Sequence, residues 1–356
     1  MKRRTRSFVL LAVKLAVAGG IIAWLVASKT LTIRSFEPVL GHGGRLAACA
    51  GLLALLPLLG ALRWRLLLAA QGFDVPFLRV LHLGLVGIFF NSFGVGYVGG
   101  DVVKAYYAAV EQPPGRRAEA VTSVIFDRFV GLIGLLLFAL AMMLIRPDTV
   151  WQNPSAPQLR LAGLSVLTVL GALGILFALS FSRRIREGRI WALWLPRLPG
   201  GKVLLRVYSA AGVYRGRPLT VLVAVGISMV AHGVNIAMLW QISRALDFPA
   251  ISPVDFAFCI AVGLAVTSVG LPLGIGAGQV AFGYLFALFF KERGNADGAA
   301  LASMQQAVIL FFNLAAGLPA FLLVRKDSAR VEAEMAADAD TTAKTASPEP
   351  AGVRDG

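Results

Sequence analysis

The sequence predicts an all-α polytopic membrane protein with about six full spans plus two re-entrant broken hairpins, arranged as an inverted repeat. Three observations lead there. Uncharged apolar stretches long enough to cross about 30 Å of hydrocarbon recur along the whole chain. Two of these stretches are interrupted by glycine-rich breaks, and the arginines and lysines gather in the loops between apolar runs. Of the 356 residues 57% are hydrophobic and 15% charged, against roughly 25% charged in a soluble domain. Mean hydropathy is +0.75. Length alone would allow two or three soluble domains, but one membrane domain is the simpler expectation.

The formal net charge of +15 reports topology and contact with anionic headgroups rather than nucleic acid, because the cations flank apolar runs instead of sharing a soluble face. Cys49 and Cys259 sit inside apolar segments without CxxC spacing, so neither a disulfide nor a metal site follows. Three histidines and no His/Cys/carboxylate cluster also argue against a metal. No cofactor is expected, and no phosphate-binding loop, nucleophile elbow or kinase signature occurs.

Residues 1–7 form a basic cytoplasmic N-terminus, and the transmembrane domain is expected over 8–324. Lys2, Arg3, Arg4 and Arg6 precede the first span, 8–27, which is too long for a usual signal peptide and reads as an uncleaved signal anchor. A second span, 46–62, ends at Arg63-Trp64-Arg65, which with Arg79 marks a cytoplasmic loop. The stretch from 81 to about 110 is broken between Asn91 and Asp101, with Gly99 and Gly100 in the break. Exposed backbone at membrane depth needs partners, so a re-entrant hairpin is predicted there, followed by Lys104, Arg116 and Arg117. Further spans are expected at 121–145, 159–181, 219 to about 245, and about 299–324. Between them, 182–217 is the most basic loop, with part of it suited to the headgroup plane. A second broken hairpin covers 256–290, interrupted at 270–279 by Pro272, Gly274, Gly276, Gly278 and Gln279. Residues 325–356 read as a disordered cytoplasmic tail.

Gly96 to Val102 aligns with Gly274 to Val280 at a constant offset of 178, placing Gln279 opposite Asp101. The charge pattern opens the first hairpin to the cytoplasm and the second to the outside. The first repeat is then about 8–145 and the second about 159–324. Opposed interrupted helices point to a transport site near the midplane, since a broken helix offers free backbone groups and terminal partial charges to a ligand. Close packing through small residues is the alternative use of the glycines.

At these motifs the chain resembles the lysylphosphatidylglycerol synthetase transmembrane region family, flippase-like integral membrane proteins, over about 8–324. The resemblance rests on Arg63-Trp64-Arg65, on Gly99-Gly100-Asp101 followed by Lys104, on Asp127-Arg128 near the start of the fourth segment, and on the run from Pro272 to Gln279. It implies a bacterial inner-membrane domain that moves or presents a lipid. Its lipid would be an anionic phospholipid or a polyprenyl-linked lipid. Aminoacylation would need the cytosolic transferase domain found in some members and is not expected of this chain. Many members carry a glutamate where this chain has Gln279, which counts against a proton- or cation-coupled role for the second hairpin.

Asp101 heads the candidates for a headgroup or transport path, because an ionisable group at a helix break inside a membrane is costly unless paired or hydrated; its structural alternative is capping of the returning half-helix. Arg128 could pair with Asp101 or grip a lipid phosphate in bidentate fashion, or simply snorkel. Asp127, Asn91 and Lys104 complete the path on the first repeat, and Gln279 on the second. Arg63 and Arg65 are expected to be topological anchors. Gln305, Gln306 and Asn313 are expected to make interhelical hydrogen bonds. His232 and Asn235 share one helix face and read as structural.

The leading expectation is a lipid transporter or flippase-like protein that is not an enzyme. A membrane-embedded transferase and a scaffold for a lipid-modifying enzyme, its candidate protein partner, are the alternatives.

Overall fold

The computed structural model describes residues 43–91, 99–152, 157–181, 212, 214–268, 277–290 and 293–323. Among these the regular structure is helical, with no strand. Five helices are long and apolar enough to cross a membrane. They are α1 (Gly43–Ala70), α4 (Arg117–Ile145), α5 (Pro157–Phe181), α6 (Pro218–Ala245) and α9 (Gly294–Phe312), the last continuing through a π turn at Asn313–Gly317 to Leu323. Runs of Leu, Ala and Val place apolar side chains on every face of these helices, and the helix satisfies its own backbone in lipid. Pro157 and Pro218 open α5 and α6, where a missing N–H costs nothing. The chain is therefore a multi-pass membrane protein.

Four helices are shorter: α2 (Phe77–Asn91), α3 (Gly99–Val110), α7 (Pro253–Ser268) and α8 (Ala277–Ala287). At 15, 12, 16 and 11 residues, they extend about 16 to 24 Å and fall short of a bilayer's hydrocarbon. They flank the two glycine-rich interruptions. The order long, short, short, long thus occurs twice, as α1 to α4 and again as α6 to α9.

Five of the expected spans are present as helices. The expected span at 8–27, the tail at 325–356 and the break residues Pro272, Gly274 and Gly276 lie outside the described residues. The second span is corrected: α1 continues to Ala70, so Arg63, Trp64 and Arg65 are helical rather than a loop boundary. Asp127 and Arg128 also lie deeper than expected, since α4 begins at Arg117.

The helices pack on one another through small residues. A Cβ at Gly134 of α4 would run into the side chain of Ser228 and the backbone of Met229 on α6, and one at Gly317 would meet the backbone oxygen of Leu85 on α2. At one end of the bundle Arg116 Nη2 donates to the Gln71 carbonyl at 2.7 Å, and Gln71 Nε2 donates to the Tyr214 hydroxyl. Tyr214 stacks on Phe126 at 4.1 Å. Burial pushes its phenol well above the ordinary range, so it stays neutral as an acceptor. The α1–α2 turn, the start of α4 and the approach to α6 therefore meet at this end. At the opposite end, Thr149 Oγ1 donates to buried Asp255 at 2.8 Å. Phe286 of α8 packs against Phe248 and Phe256 there, each ring pair at 5.6 Å, so the end of α6, the start of α7 and the end of α8 share that side.

Candidate functional site: a charged cluster between α1, α3, α4 and α6

Asp127 is the centre of the site. Its Oδ1 accepts from Arg63 Nε at 2.7 Å and its Oδ2 from Lys104 Nζ at 3.2 Å. Helix α1 supplies the arginine, α3 the lysine and α4 the carboxylate, so the triad exists only in the packed bundle. Side-chain exposures are 16% for Arg63, 11% for Lys104 and 10% for Asp127. Ions this dry persist only when paired and hydrogen-bonded.

The surroundings fix each cation. Arg63 Nη1 donates to Ser228 Oγ on α6 at 2.8 Å, and Ser228 in turn donates to the Ala224 carbonyl. The guanidinium lies over Gly131, where a Cβ would stand 3.1 Å from Nη1; a larger residue would push the arginine off its place. Lys104 Nζ sits 3.8 Å from the centre of the Trp64 ring, a cation–π contact. Trp64 is itself held by a 3.0 Å hydrogen bond from Nε1 to Ser123.

A second ion pair lies on the outside of this triad. Arg128 Nε meets Asp101 Oδ2 at 3.1 Å, with side-chain exposures of 47% and 28%. The site thus has a locked inner triad and an open outer pair. Three formal cations stand against two carboxylates, leaving one positive charge in surplus.

The structure brings together Asp101, Lys104, Asp127 and Arg128 as expected, and it pairs Arg128 with Asp101. The capping role falls elsewhere. Asn91, at the end of α2, accepts the Gly100 N–H with Oδ1 at 2.9 Å, while Asp101 in the first turn of α3 faces Arg128. Gly100 is required by this contact, since a Cβ there would collide with the Gly87 carbonyl and Asn91. Gly99 begins α3 beside it.

Arg63 is the residue that sequence reasoning missed. It was expected to anchor the helix at the headgroups, yet it is the main partner of Asp127. Arg65, two positions on, does point outward and donates to the Val75 carbonyl at 3.3 Å. The available signal was electrostatic: Asp127 lies within a span and needs a cation at its own depth.

The amides of the second repeat stand apart from the charges. Gln279 Nε2 donates to Gln306 Oε1 at 2.9 Å and to Ser303 Oγ at 3.3 Å. A Cβ at Gly278 beside it would meet Ala302 and Thr267 at ordinary contact distance. Gln305 and Asn313 are buried. His232 Nε2 lies 3.0 Å from the Gly131 carbonyl, an interhelical bond one turn beyond Ser228. Phe89 and Phe90, near the first break, pack on Phe321.

No curated protein and no solved structure matches the chain at a significant level. The family described as lysylphosphatidylglycerol synthase TM region matches residues 11–317, which takes in both charged pairs and both interrupted segments. The chain belongs to the lysylphosphatidylglycerol synthase transmembrane-region family.

Proposed function

We propose that this membrane protein moves or presents an anionic lipid, phospholipid or polyprenyl-linked, and that Arg128 takes the phosphate while the Arg63–Asp127–Lys104 triad supplies a fixed positive field behind it. The observation that carries the proposal is the surplus cation of the cluster together with its two tiers of exposure. A phosphate arriving at the half-exposed arginine would complete the charge balance. Guanidinium matches phosphate geometry in a bidentate fork. The lipid tails would remain in hydrocarbon while the headgroup follows buried polar groups, which avoids the cost of stripping a charge of partners.

The two long-short-short-long units fit a pair of inverted repeats. The α3–α4 turn lies at the end of the bundle marked by Gln71 and Tyr214, whereas the end of α8 lies at the opposite side with Phe248. In this reading the basic end, with Arg65, Arg79, Arg116, Arg117, Arg215 and Arg217, faces the cytoplasm, as the positive-inside rule favours, and the membrane is a bacterial inner membrane. A transferase reading is less favoured: of the two carboxylates that could serve as its base, Asp127 has both oxygens engaged by cations and Asp101 is paired with Arg128.

The test is headgroup translocation in proteoliposomes containing the purified chain. Acceleration for an anionic or polyprenyl lipid over a zwitterionic one, lost in Arg128→Gln, is expected. Failure to accelerate any such lipid would overturn the proposal.

A further inference from the structure

The middle of α6 carries a histidine and an asparagine that the charged cluster does not use. His232 stands 14 residues after Pro218 and 13 before Ala245, about 21 Å along a helix of about 42 Å. On the same helix Ser228 lies one turn toward the basic end and Asn235 one turn toward the other.

The contact with Gly131 fixes the state of the ring. A carbonyl oxygen only accepts, so Nε2, 3.0 Å from it, bears the hydrogen, and Nδ1 of the neutral imidazole is an acceptor. Among the described residues Nδ1 has no partner. Three positions on, Asn235 Oδ1 is buried and has no hydrogen-bond partner among them either. Residues at this spacing share a helix face, with about 5–6 Å between Cβ atoms. Two acceptors thus lie side by side with no donor for either. A second proton on the ring would turn Nδ1 into that donor.

The neighbouring charges make the proton conditional. Of the helices packed on α6, α1 brings Arg63, which donates to Ser228, and Cys49, which donates to the Met238 carbonyl. Helix α4 brings Asp127, one turn before Gly131 and held by Arg63 and Lys104, with Arg128 next to it in the pair with Asp101. Among the described residues, α7 contributes Cys259, buried in the apolar core, and Asp255, and α9 contributes Asp297. Both carboxylates lie toward the opposite end, beside Arg146 and Arg293. The charged groups near His232 therefore sum to one surplus cation, which opposes a further positive charge on the ring. An anion at Arg128 would cancel that surplus.

We infer that His232 and Asn235 form a proton-binding site at the middle of the bundle, filled when an anion occupies Arg128. Nδ1 takes one proton from water and donates it in a hydrogen bond to Asn235 Oδ1, while Nε2 keeps the Gly131 carbonyl. No bond between heavy atoms changes. This rests on the reading of Arg128 as the phosphate contact and adds its coupling: the phosphate enters with a compensating proton, so a proton gradient bears on its movement. The linkage is reciprocal, the anion raising proton occupancy by the factor by which the proton raises anion affinity.

Nitrogen NMR of the histidine-labelled full chain in nanodiscs reads the ring directly. His42→Gln and His82→Gln together leave His232 as the one imidazole of the three. Phosphatidylcholine nanodiscs with and without phosphatidylglycerol are compared at pH 6, where the phosphodiester keeps its charge. Phosphatidylglycerol should raise the ratio of doubly to singly protonated ring about tenfold, an ordinary coupling. An anionic surface itself gathers protons, so Arg128→Gln in the same nanodiscs is the control, and most of the rise should be lost there. Asn235→Leu should lower the ratio about tenfold, the effect of one hydrogen bond to a charged group. Asn235→Asp keeps an acceptor and should raise it, which preserves the test where the leucine variant does not fold. An amide that instead donates Nδ2–H to Nδ1 favours the neutral ring, so a ratio unchanged or higher in Asn235→Leu overturns the inference. A rise that is undiminished in Arg128→Gln, while that variant has lost phosphatidylglycerol retention, overturns the coupling. Failure of the phosphate reading looks different: the wild type then retains phosphatidylglycerol no better than phosphatidylcholine, the coupling falls with it, and Asn235→Leu alone decides the proton site.

Discussion

Replacing Asp127 by Asn keeps the shape of the site and removes the one anion shared by two buried cations. The inner triad then changes from one formal positive charge to two, with Arg63 and Lys104 both short of their carboxylate partner. All three side chains are no more than 16% exposed, so solvent screening relieves little of the imbalance. Removing one partner of a buried pair costs about 3–5 kcal/mol. Lys104→Met runs the other way: it leaves Asp127 bonded to Arg63, brings the triad to neutrality and keeps an unbranched side chain on Trp64. Its cost should be about 1 kcal/mol. The decisive variant is the double one. Adding Lys104→Met to Asp127→Asn removes one of the two stranded cations and should recover part of the lost stability, a coupling that a double-mutant cycle isolates. The assay is denaturant or thermal unfolding of the purified protein in one detergent, followed by retention of the monodisperse peak. Asp127→Asn no worse than Lys104→Met, or losses that simply add in the double variant, would refute the electrostatic account of the triad.

Arg128→Gln breaks a half-exposed ion pair of the kind worth about 0–1 kcal/mol, so unfolding should hardly change while anionic headgroup movement in proteoliposomes is lost. Ser228→Ala deletes an acceptor for Arg63 Nη1 and should destabilise by about 1.5–3 kcal/mol, the range for hydrogen bonds to charged groups, measured by the same unfolding assay. Gly134→Val forces α4 away from Ser228 and Met229. Overpacking of this kind costs about 1–3 kcal/mol, and reduced yield of folded protein should accompany a lower melting point. Asn91→Ala removes the cap on Gly100 and should cost about 1 kcal/mol, read as faster proteolysis at the first interruption.

Much of this architecture is legible in the sequence, because lipid imposes a simple rule on apolar runs. Residues 121–145, 159–181 and 219–245 became helices within a few residues of those bounds, and both glycine-rich interruptions fall between short helices. The pairing of Asp101 with Arg128 was legible too, since each charge needed a partner at its depth. Arg63 was not. A positive residue after an apolar run ordinarily marks the interface, and nothing in the run itself announces that α1 continues to Ala70. Its placement depends on packing against α4 and α6, where Gly131 and Ser228 make room and supply a bond. Likewise Gln279 could be matched to Asp101 by alignment, but Gln306 is one of two adjacent glutamines, and only the packed helices decide that it, rather than Gln305, meets Gln279.

The unequal helix lengths have a consequence for the bilayer itself. Helices α1 and α6 at 28 residues, and the continuous run from Gly294 to Leu323 at 30, extend about 42 to 45 Å, well beyond an average hydrocarbon thickness of about 30 Å. Tilting accommodates such excess length, and a thicker bilayer draws the long helices upright at a cost of fractions of a kcal/mol per Å. The short helices α3 and α8, about 16 to 18 Å long, have no such excess length to redistribute, and they meet the long helices at the contacts that join Asp101 to Arg128 and Gln279 to Gln306. A change in acyl-chain length would therefore bear first on these cross-helix contacts, where short segments meet long neighbours.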